Sequence, residues 1–518
     1  MNENRLRVLV GTAAMTGLFF VSGARAEEAP SSLTSEAVVE IAVKNNPSLH
    51  VALLQADQAR ALLTAEEALY DPVFNANLNA AHNRTPSLRG TDGTLISTTD
   101  TVNLGAGLNK TFSTGTALGA SLTAQRRVSA SPPINATGGQ NAIGPSYGLV
   151  GTLTLSQPFL RGAGSTLGLA SLRVARLNRS AATLAAQQAG SELLHDVLTD
   201  YWELWYSTEA VRIIEASREL ARQLETQAQE QVKSGTLAQV DALPFATQVA
   251  EQEESVVQQA TDQEQRALTL AQGIGQAERS GRDLRAADTP PEIDFEDAPS
   301  KAEEDALNAS YELKQLQVSL RISEDQAQIA GDSLRPSLNL DASLSAQGLG
   351  NRQVPPAFEQ FGKLEAVSGQ VGLTFQTPVT STRYSAQVES ARLATHIAEK
   401  QIESARQRLR TDVRSAWARR NAAKSRLALA QVTEKVASDL ADGQRGKFLA
   451  GTALAIEVQK ADDSLRQARL RVQRAKIDLV EGDLDLLHLR GKLLERYRDV
   501  LRRITPHAVV LDDARGPL

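Results

Sequence analysis

The spacing of apolar residues along the chain switches twice between a helical and a strand period. Helical spacing predicts amphipathic helices at about 33–70 and 299–334, each ending at a proline. Alternation of apolar and polar residues follows at 73–160 and 337–379 and predicts strands. Helical spacing then returns for very long stretches. The order helix, strands, long helix and return helix therefore occurs twice.

Six short segments show the alternation of strands. In the first, Phe74, Ala76 and Leu78 face one way, and Asn75 and Asn77 face the other. The other five segments lie at 102–109, 118–124, 147–156, 338–345 and 371–376. The polar face is rich in small hydroxyl and amide side chains, which suits a wet lumen, and the apolar face suits lipid or a partner sheet.

A soluble β-sandwich with one packed and one wet face is the alternative interpretation of this alternation. An N-terminal secretion signal and the long flanking helices favour the wall of a β-barrel. The stretches 84–99 and 129–145 are rich in Gly, Pro, Ser and Asn, so they are predicted to be loops outside the wall.

The predicted long helices run from 168 to 233 and from 382 to 447, with return helices at about 237–275 and 453–500. At about 1.5 Å per residue, each long helix would span about 100 Å, which is far more than a globular helix. Apolar residues with heptad spacing predict coiled-coil packing. They include Leu194, Val197, Tyr201 and Leu204, and Leu465, Ala468, Val472, Ala475, Leu479, Gly482, Leu486, Leu489 and Leu493.

The two halves align as internal repeats, 27–280 and 299–504, joined by a linker at 281–298 and followed by a loose tail at 505–518. The Gly-Thr pairs and the acidic residues that follow them match between the halves. The first repeat has extra residues between its matching prolines, and these contain the alternating segments 101–112 and 116–126. Six strands per chain predict 18 in a trimer; the alternative is 12, with the insert forming a cap or plug.

The N-terminus has the pattern of a cleaved secretory signal peptide at 1–26. Arg5 and Arg7 precede an apolar run, and Ala24-Arg25-Ala26 fits a cleavage site. An N-terminal membrane anchor is the alternative, but the run is shorter than the roughly 20 residues that a spanning helix needs.

Composition excludes several classes of function. The chain has no cysteine, which excludes disulfides, thiol catalysis, thiolate metal sites and a lipid anchor on an N-terminal cysteine. The net charge of −6 gives no basic field for nucleic acid. The six histidines are dispersed, and no nucleophile or dinucleotide motif appears in a suitable context. No enzymatic activity, cofactor or metal is therefore predicted.

This arrangement resembles the TolC-like outer-membrane efflux protein family. The resemblance rests on AVKNNPSL with Asn46-Pro47, on RPSLNL and QPFLRG, and on KSGTLAQVDAL and LAGTALAIEVQ at the ends of the long helices. It implies a mixed α and β fold: a trimeric outer-membrane β-barrel continuous with a long α-helical coiled-coil tunnel in the periplasm of a Gram-negative bacterium. Its partners would be outer-membrane lipid, a periplasmic adaptor and an inner-membrane transporter.

The resemblance implies a passive export channel of a tripartite efflux pump or a type I secretion system. A non-pore coiled-coil protein, such as an adaptor or adhesin, is the alternative. The family's tip turns, where the adaptor docks, fall on Gly235-Thr236 and Gly451-Thr452, and its tip aromatic falls on Phe448. For the glycines, an ordinary helix C-cap is the simpler interpretation.

The tunnel entrance of the family falls on Asp241, Glu457 and Lys460. Asp241 matches a gate acid and Glu457 a ring acid; helix-start acids that favour the helix dipole are the alternative. This chain departs from the family where Ala453 replaces the gating arginine, Lys460 replaces a ring acid and Val232 replaces the first tip aromatic.

Overall fold

The computed structural model describes most of the chain, in five stretches: 32–89, 93–131, 141–278, 284–291 and 298–504. The predicted signal peptide (1–26) and tail (505–518) lie outside these residues, as does much of the predicted linker 281–298. Among the helices that the structure describes, none combines the length and apolar character needed to cross a membrane.

Helices and strands follow one another in a similar order in both halves of the chain. The first half contains β1 (Ser32–Leu33), α1 (Ser35–Asn45), α2 (Pro47–Ala68), β2 (Val73–Arg89), β3 (Gly93–Thr111), β4 (Ala117–Ser131), β5 (Asn141–Pro158), α3 (Ser165–Gly168), α4 (Ala170–Lys233) and α5 (Gln239–Gly273). The second half contains β6 (Arg285–Ala286), α6 (Pro299–Ala309), α7 (Tyr311–Asp332), β7 (Ser337–Asn351), α8 (Pro355–Gly362), β8 (Ala366–Gln376), α9 (Thr382–Leu449), α10 (Ala455–Leu489), α11 (Leu493–Arg496) and α12 (Arg498–Ile504).

Within the described residues, six strands form one antiparallel sheet in the order β2-β3-β4-β5-β7-β8. The two inserted segments form β3 and β4, which are inner strands of this sheet. All six predicted strands are therefore confirmed, and they share one sheet. β2 and β8 form its two edges, while β1 and β6 make a separate two-stranded parallel pair.

The prediction of loops at 84–99 and 129–145 is wrong for the described residues of both stretches; 90–92 and 132–140 lie outside them. β2 and β3 continue through Arg84–Arg89 and Gly93–Thr99, and β4 and β5 continue through 129–131 and 141–145. Pro86 lies in β2, an edge strand of this sheet, which is where a proline within a strand is usually found. The β-branched Thr94, Ile96, Thr98 and Thr99 favour extended structure, so β2 and β3 continue as a hairpin despite the polar composition.

The predicted helices 33–70 and 299–334 are each divided into two. Asn46 separates α1 from α2, and its side chain accepts hydrogen bonds from the backbone of Ser48 and Leu49 at 2.9 and 3.1 Å. Pro47 at the first position of α2 completes a standard helix start. Ser310 has the same role before α7, where its hydroxyl accepts from Leu313 at 3.3 Å. The sequence Asn46-Pro47 indicates a helix start, but apolar residues keep their helical spacing across it, so the spacing predicts one continuous helix.

The long helices pack through the predicted heptad positions. Leu194, Val197, Tyr201 and Leu204 of α4 are at most 1% exposed and pack with residues of α1, α5 and α10. In α10, Leu465, Ala468, Val472 and Leu486 are also buried.

The predicted return helix 453–500 is too long at its end. α10 stops at Leu489, because Gly491 adopts a φ of +64° and the backbone turns out of the helix there. Leu493 is buried, but it belongs to the short helix α11 and does not continue the seam of α10.

Candidate functional site

The two faces of the six-stranded sheet differ in chemistry across its whole width. One row of the polar face crosses Asn75, Gly107, Ser121, Thr152, Ser345 and Ser368. The Ser156 hydroxyl donates to Asp341 at 2.7 Å, and the Thr152 and Ser345 hydroxyls lie 3.2 Å apart. A cavity of about 460 Å³ opens on this face around Thr154, Asp341 and Gln370. The arrangement offers hydrogen bonds to water along the full sheet.

Three successive rows of the opposite face carry only apolar residues or glycine, and the next row toward the helices contains Lys110. One row crosses Phe74, Leu108, Ala120, Leu153, Leu344 and Gly369. Many of these side chains are exposed in the single chain; Phe74, Leu78 and Val371 are 69%, 72% and 74% exposed. The rows end near Arg126 and Tyr147, which pair with each other across β4 and β5. The opposite face is therefore an apolar band that ends, away from the long helices, at a row with a charged and an aromatic residue.

The two predicted tip turns have the same backbone geometry. Gly235 and Gly451 have φ values of +77° and +73°, in the left-handed region that favours glycine. The amides of Thr236 and Thr452 each donate to the carbonyl five residues earlier, both at 2.9 Å. Both threonine hydroxyls also donate to those carbonyls, at 3.1 and 3.0 Å. These hydrogen bonds form Schellman turns, which end α4 and α9 and reverse the chain.

Phe448 lies inside the tip and packs the two helical hairpins together. It is 4% exposed, and its ring centroid is 5.2 Å from that of Phe245, on the other hairpin. Leu224, Ala228 and Val458 complete this cluster. Phe448 therefore supports both turns from within, and its ring is not part of the tip surface. Phe245, which sequence reasoning missed, is its partner; the Val232 position has no such ring.

The predicted entrance residues occupy equivalent places at the starts of the return helices. Asp241 and Glu457 lie in the first turns of α5 and α10, and both are exposed. Their amides donate to Ala238 and Leu454, each at 3.0 Å. Lys460, one turn after Glu457, is also exposed, while Ala453 packs partly buried against the Phe448 cluster. The structure brings these residues to the same end of the helices as Gly235 and Gly451.

Apolar side chains are exposed beside both tip turns, on the two hairpins alike. Val240 and Leu243 are 68% and 58% exposed at the start of α5, and Leu449, Leu454 and Ile456 are 62%, 68% and 43% exposed around the second turn. The tip therefore combines an apolar surface with acidic helix starts, which is typical of a surface that binds another protein.

A seam of charged residues joins α4 to α10 about midway along the helices, and sequence reasoning did not identify it. Arg474 of α10 donates to Glu203 of α4 at 2.6 Å and to Glu481 at 3.1 Å. Burial raises the pKa of Glu481 from its ordinary 4.5 to about 8, and a hydrogen bond with Glu203 adds to this shift. Burial also acts to raise the pKa of Glu203, but hydrogen bonds with Arg474 and Glu481 lower it. When Glu203 and Glu481 hold one proton between them, it therefore lies on Glu481.

The same seam continues through His195 of α4. Its two ring nitrogens lie 3.0 Å from Asp196 and 2.9 Å from Asp485 of α10. Burial acts to lower the pKa of His195, but the hydrogen bonds with Asp485 and Asp196 outweigh it and raise the pKa. Arg419 of α9 donates to Asp485 at 2.9 Å, so the seam ties three helices together. Within the described residues, no group of three or more His, Cys, Asp or Glu side chains could hold a metal ion.

Comparison with known proteins supports the predicted resemblance. Residues 303–492 match the family described as outer membrane efflux protein. This stretch runs from α6 through β7, β8 and α9 to the turn after α10. A comparison with curated proteins gives no match. The resemblance to outer-membrane efflux proteins is confirmed.

Solved channel structures have the same fold over most of their length. The outer membrane channel CmeC of Campylobacter jejuni superposes with a TM-score of 0.65 at 14% identity, over 93% of this chain and 90% of that chain. VceC of Vibrio cholerae gives 0.62 at 15% identity, over 88% and 96%. The open state of the MtrE channel of Neisseria gonorrhoeae gives 0.61 at 16%, over 89% of each chain. At these identities the likeness establishes the fold: helix-rich, with one sheet of strands.

Proposed function

We propose that this chain, which carries an outer membrane efflux protein domain at residues 303–492, forms the exit channel of a tripartite efflux pump or a type I secretion system. The channel would sit in the outer membrane of a Gram-negative bacterium, reach into the periplasm and conduct its cargo passively. The proposal rests mainly on one observation: a sheet with one polar and one apolar face is continuous with helices of 64 and 68 residues. Such helices span about 100 Å.

The same observation supports a conduit over a non-pore adaptor or adhesin. A coiled-coil adaptor has no use for a six-stranded sheet whose apolar rows face outward over their whole width. The similar order of elements in 27–280 and 299–504 supports two internal repeats joined by a linker at 281–298. The secretory signal at 1–26 remains part of this proposal.

Three copies of the chain would close the barrel. Six strands are too few for an aqueous lumen, and the outer edges of β2 and β8 have no strand partner within the described residues. Pairing of β8 with β2 of the next copy keeps all strands antiparallel and gives 18 strands in a trimer, as opposed to 12. An exposed apolar stripe on α9 also calls for a neighbouring helix; its residues Leu429, Val432, Val436 and Leu440 are 50–68% exposed.

Cross-linking between strand edges tests the trimer, because the chain has no native cysteine. Asn75 and Thr374 both lie at the helical end of edge strands and on the polar face. In a variant with Asn75→Cys and Thr374→Cys, a short bismaleimide should yield covalent trimers in native membranes.

Each single-cysteine variant is the matched control, since one cysteine per chain can give no species larger than a dimer. Monomers alone from the double variant would contradict the closed trimer. A structure of the trimer in lipid then counts the strands: a 12-stranded wall with β3 and β4 outside it would refute the number 18.

At the tips, Gly235-Thr236 and Gly451-Thr452 form the turns on which a periplasmic adaptor would dock, beside the exposed Leu243 and Leu454. Asp241, Glu457 and Lys460 would line the tunnel entrance nearby. Two acids and one lysine per chain give the entrance a net negative field, which favours cations. Phe448 would act indirectly, since its buried ring holds the two turns together.

A further inference from the structure

The short helix α8 lies on the apolar face of the sheet. It connects β7 to β8 at the end of the sheet away from the long helices, and the chain folds back along the strands. Ala357 of α8 is 1% exposed, and the Phe361 ring lies over Gly151 of the inner strand β5. Leu364, just after α8, lines an apolar groove with Leu153 and Leu344.

Three glycines in the sheet leave space for this helix. A Cβ atom at Gly348 would lie 1.9 Å from the Ala357 carbonyl oxygen, and one at Gly350 would lie 2.1 Å from that of Gln353. A Cβ atom at Gly151 would lie 2.9 Å from the Phe361 ring. All three glycines stand in the apolar rows, opposite Leu149, Tyr147 and Ala346. The absence of three side chains at this one place lets the α8 backbone approach the strands closely.

Large apolar side chains are exposed on the outer side of α8, beside the charged Glu359 and Lys363. Phe358 and Leu364 are 57% and 60% exposed, and Val354 is 41% exposed. They continue the exposed apolar surface of Val371 and Leu373 on β8, which are 74% and 66% exposed. The only ion pair on α8 and its flank among the described contacts joins Glu359 to Lys363 at 2.6 Å, which reduces the cost of placing both charges near lipid.

We propose that α8 is a membrane-embedded helix of the outer leaflet, with Phe358 and Leu364 in contact with lipid acyl chains. This inference rests on the proposed function, in which the apolar face is the outer surface of the barrel. Lipid is the occupant because neighbouring chains pair along the sheet edges, whereas α8 stands over the inner strands β5 and β7. Its depth also fits, since it extends inward from the row of Arg126 and Tyr147, where the apolar band ends.

Spin labels at single cysteines test this placement. Phe358→Cys and Leu364→Cys report on α8, Val371→Cys on the bare apolar face and Ser121→Cys on the polar face. In vesicles of phosphatidylethanolamine and phosphatidylglycerol, collision with oxygen should exceed collision with a water-soluble nickel chelate at positions 358, 364 and 371. The order should reverse at position 121.

Nickel-accessible labels at 358 and 364, with position 371 still in lipid, would overturn the assignment of α8 and leave the barrel intact. A nickel-accessible label at 371 would instead remove the proposed function itself. Two positions, one in α8 and one just after it, are used so that misfolding of one variant does not decide the result.

Discussion

A buried ion pair between α9 and α10 gives a sharp test of how the second hairpin is held together. Arg420 donates to Asp483 at 2.7 Å, and the two side chains are only 4% and 0% exposed. The helices approach closely here, since a Cβ atom at Gly482 would lie 3.1 Å from the Arg420 backbone. Replacing Arg420 with methionine keeps the volume but leaves the buried carboxylate without its guanidinium. We expect this to cost about 3–5 kcal/mol of unfolding free energy.

The neighbouring Arg419 provides a matched control. It donates to Asp485 at 2.9 Å, but its side chain is 64% exposed, so Arg419→Met should cost at most about 1 kcal/mol. The double variant Arg420→Met with Asp483→Leu removes both charges and should recover most of the loss. Denaturant unfolding in detergent, followed by circular dichroism at 222 nm, measures all three. Equal losses in Arg420→Met and Arg419→Met, or no recovery in the double variant, would refute the reasoning.

Three further results are expected. Valine at both Gly235 and Gly451 should lower the unfolding free energy by about 1–2 kcal/mol at each left-handed turn and abolish export while trimers still form. The control is Gly443→Val, in the open interior of α9. Normal export from the double variant would contradict the role of the tips. Phe448→Ala should lower the unfolding free energy by about 3–5 kcal/mol and speed amide hydrogen exchange in both tip turns, because its ring bridges the hairpins. Faster exchange in one turn alone would argue against that bridge. Because Glu481 binds a proton more tightly in the folded state, the unfolding free energy should fall as pH rises from about 4.5 to 8. Glu481→Gln should flatten this pH dependence. An unchanged slope in that variant would exclude Glu481 as its source.

The parts of the fold that follow a simple period were predictable from the sequence. The alternation of Asn75 and Asn77 with Phe74 and Leu78 placed β2 and its two faces correctly, because successive side chains of a strand point to opposite faces. The Gly-Thr pairs likewise marked the two turns, since a left-handed backbone at the end of a helix selects glycine.

The parts that depend on contacts between distant residues were not predictable. α8 has eight residues and two prolines and is too short to show a helical period; the space for its docking comes from Gly151, Gly348 and Gly350 on other elements. Glu203, Arg474 and Glu481 have the spacing of a solvated helix face, and only the packing of α4 on α10 buries them. For the entrance, the sequence locates Asp241 and Glu457 on a helix end, but what faces them depends on other copies of the chain.

The four left-handed glycines at 235, 275, 451 and 491 have a consequence for how this architecture can change length. They delimit α5 and α10, and both helices contain 35 residues. One inserted residue in α5 between Phe245 and Gly273 would shift Phe245 by about 1.5 Å and rotate it by about 100°, which separates it from Phe448 at the end of α9. The lengths of the two hairpins are therefore coupled. Their reach can be lengthened only by matched insertions in both arms of each hairpin, α4 with α5 and α9 with α10, in steps of about seven residues that restore the facing of the heptad seams.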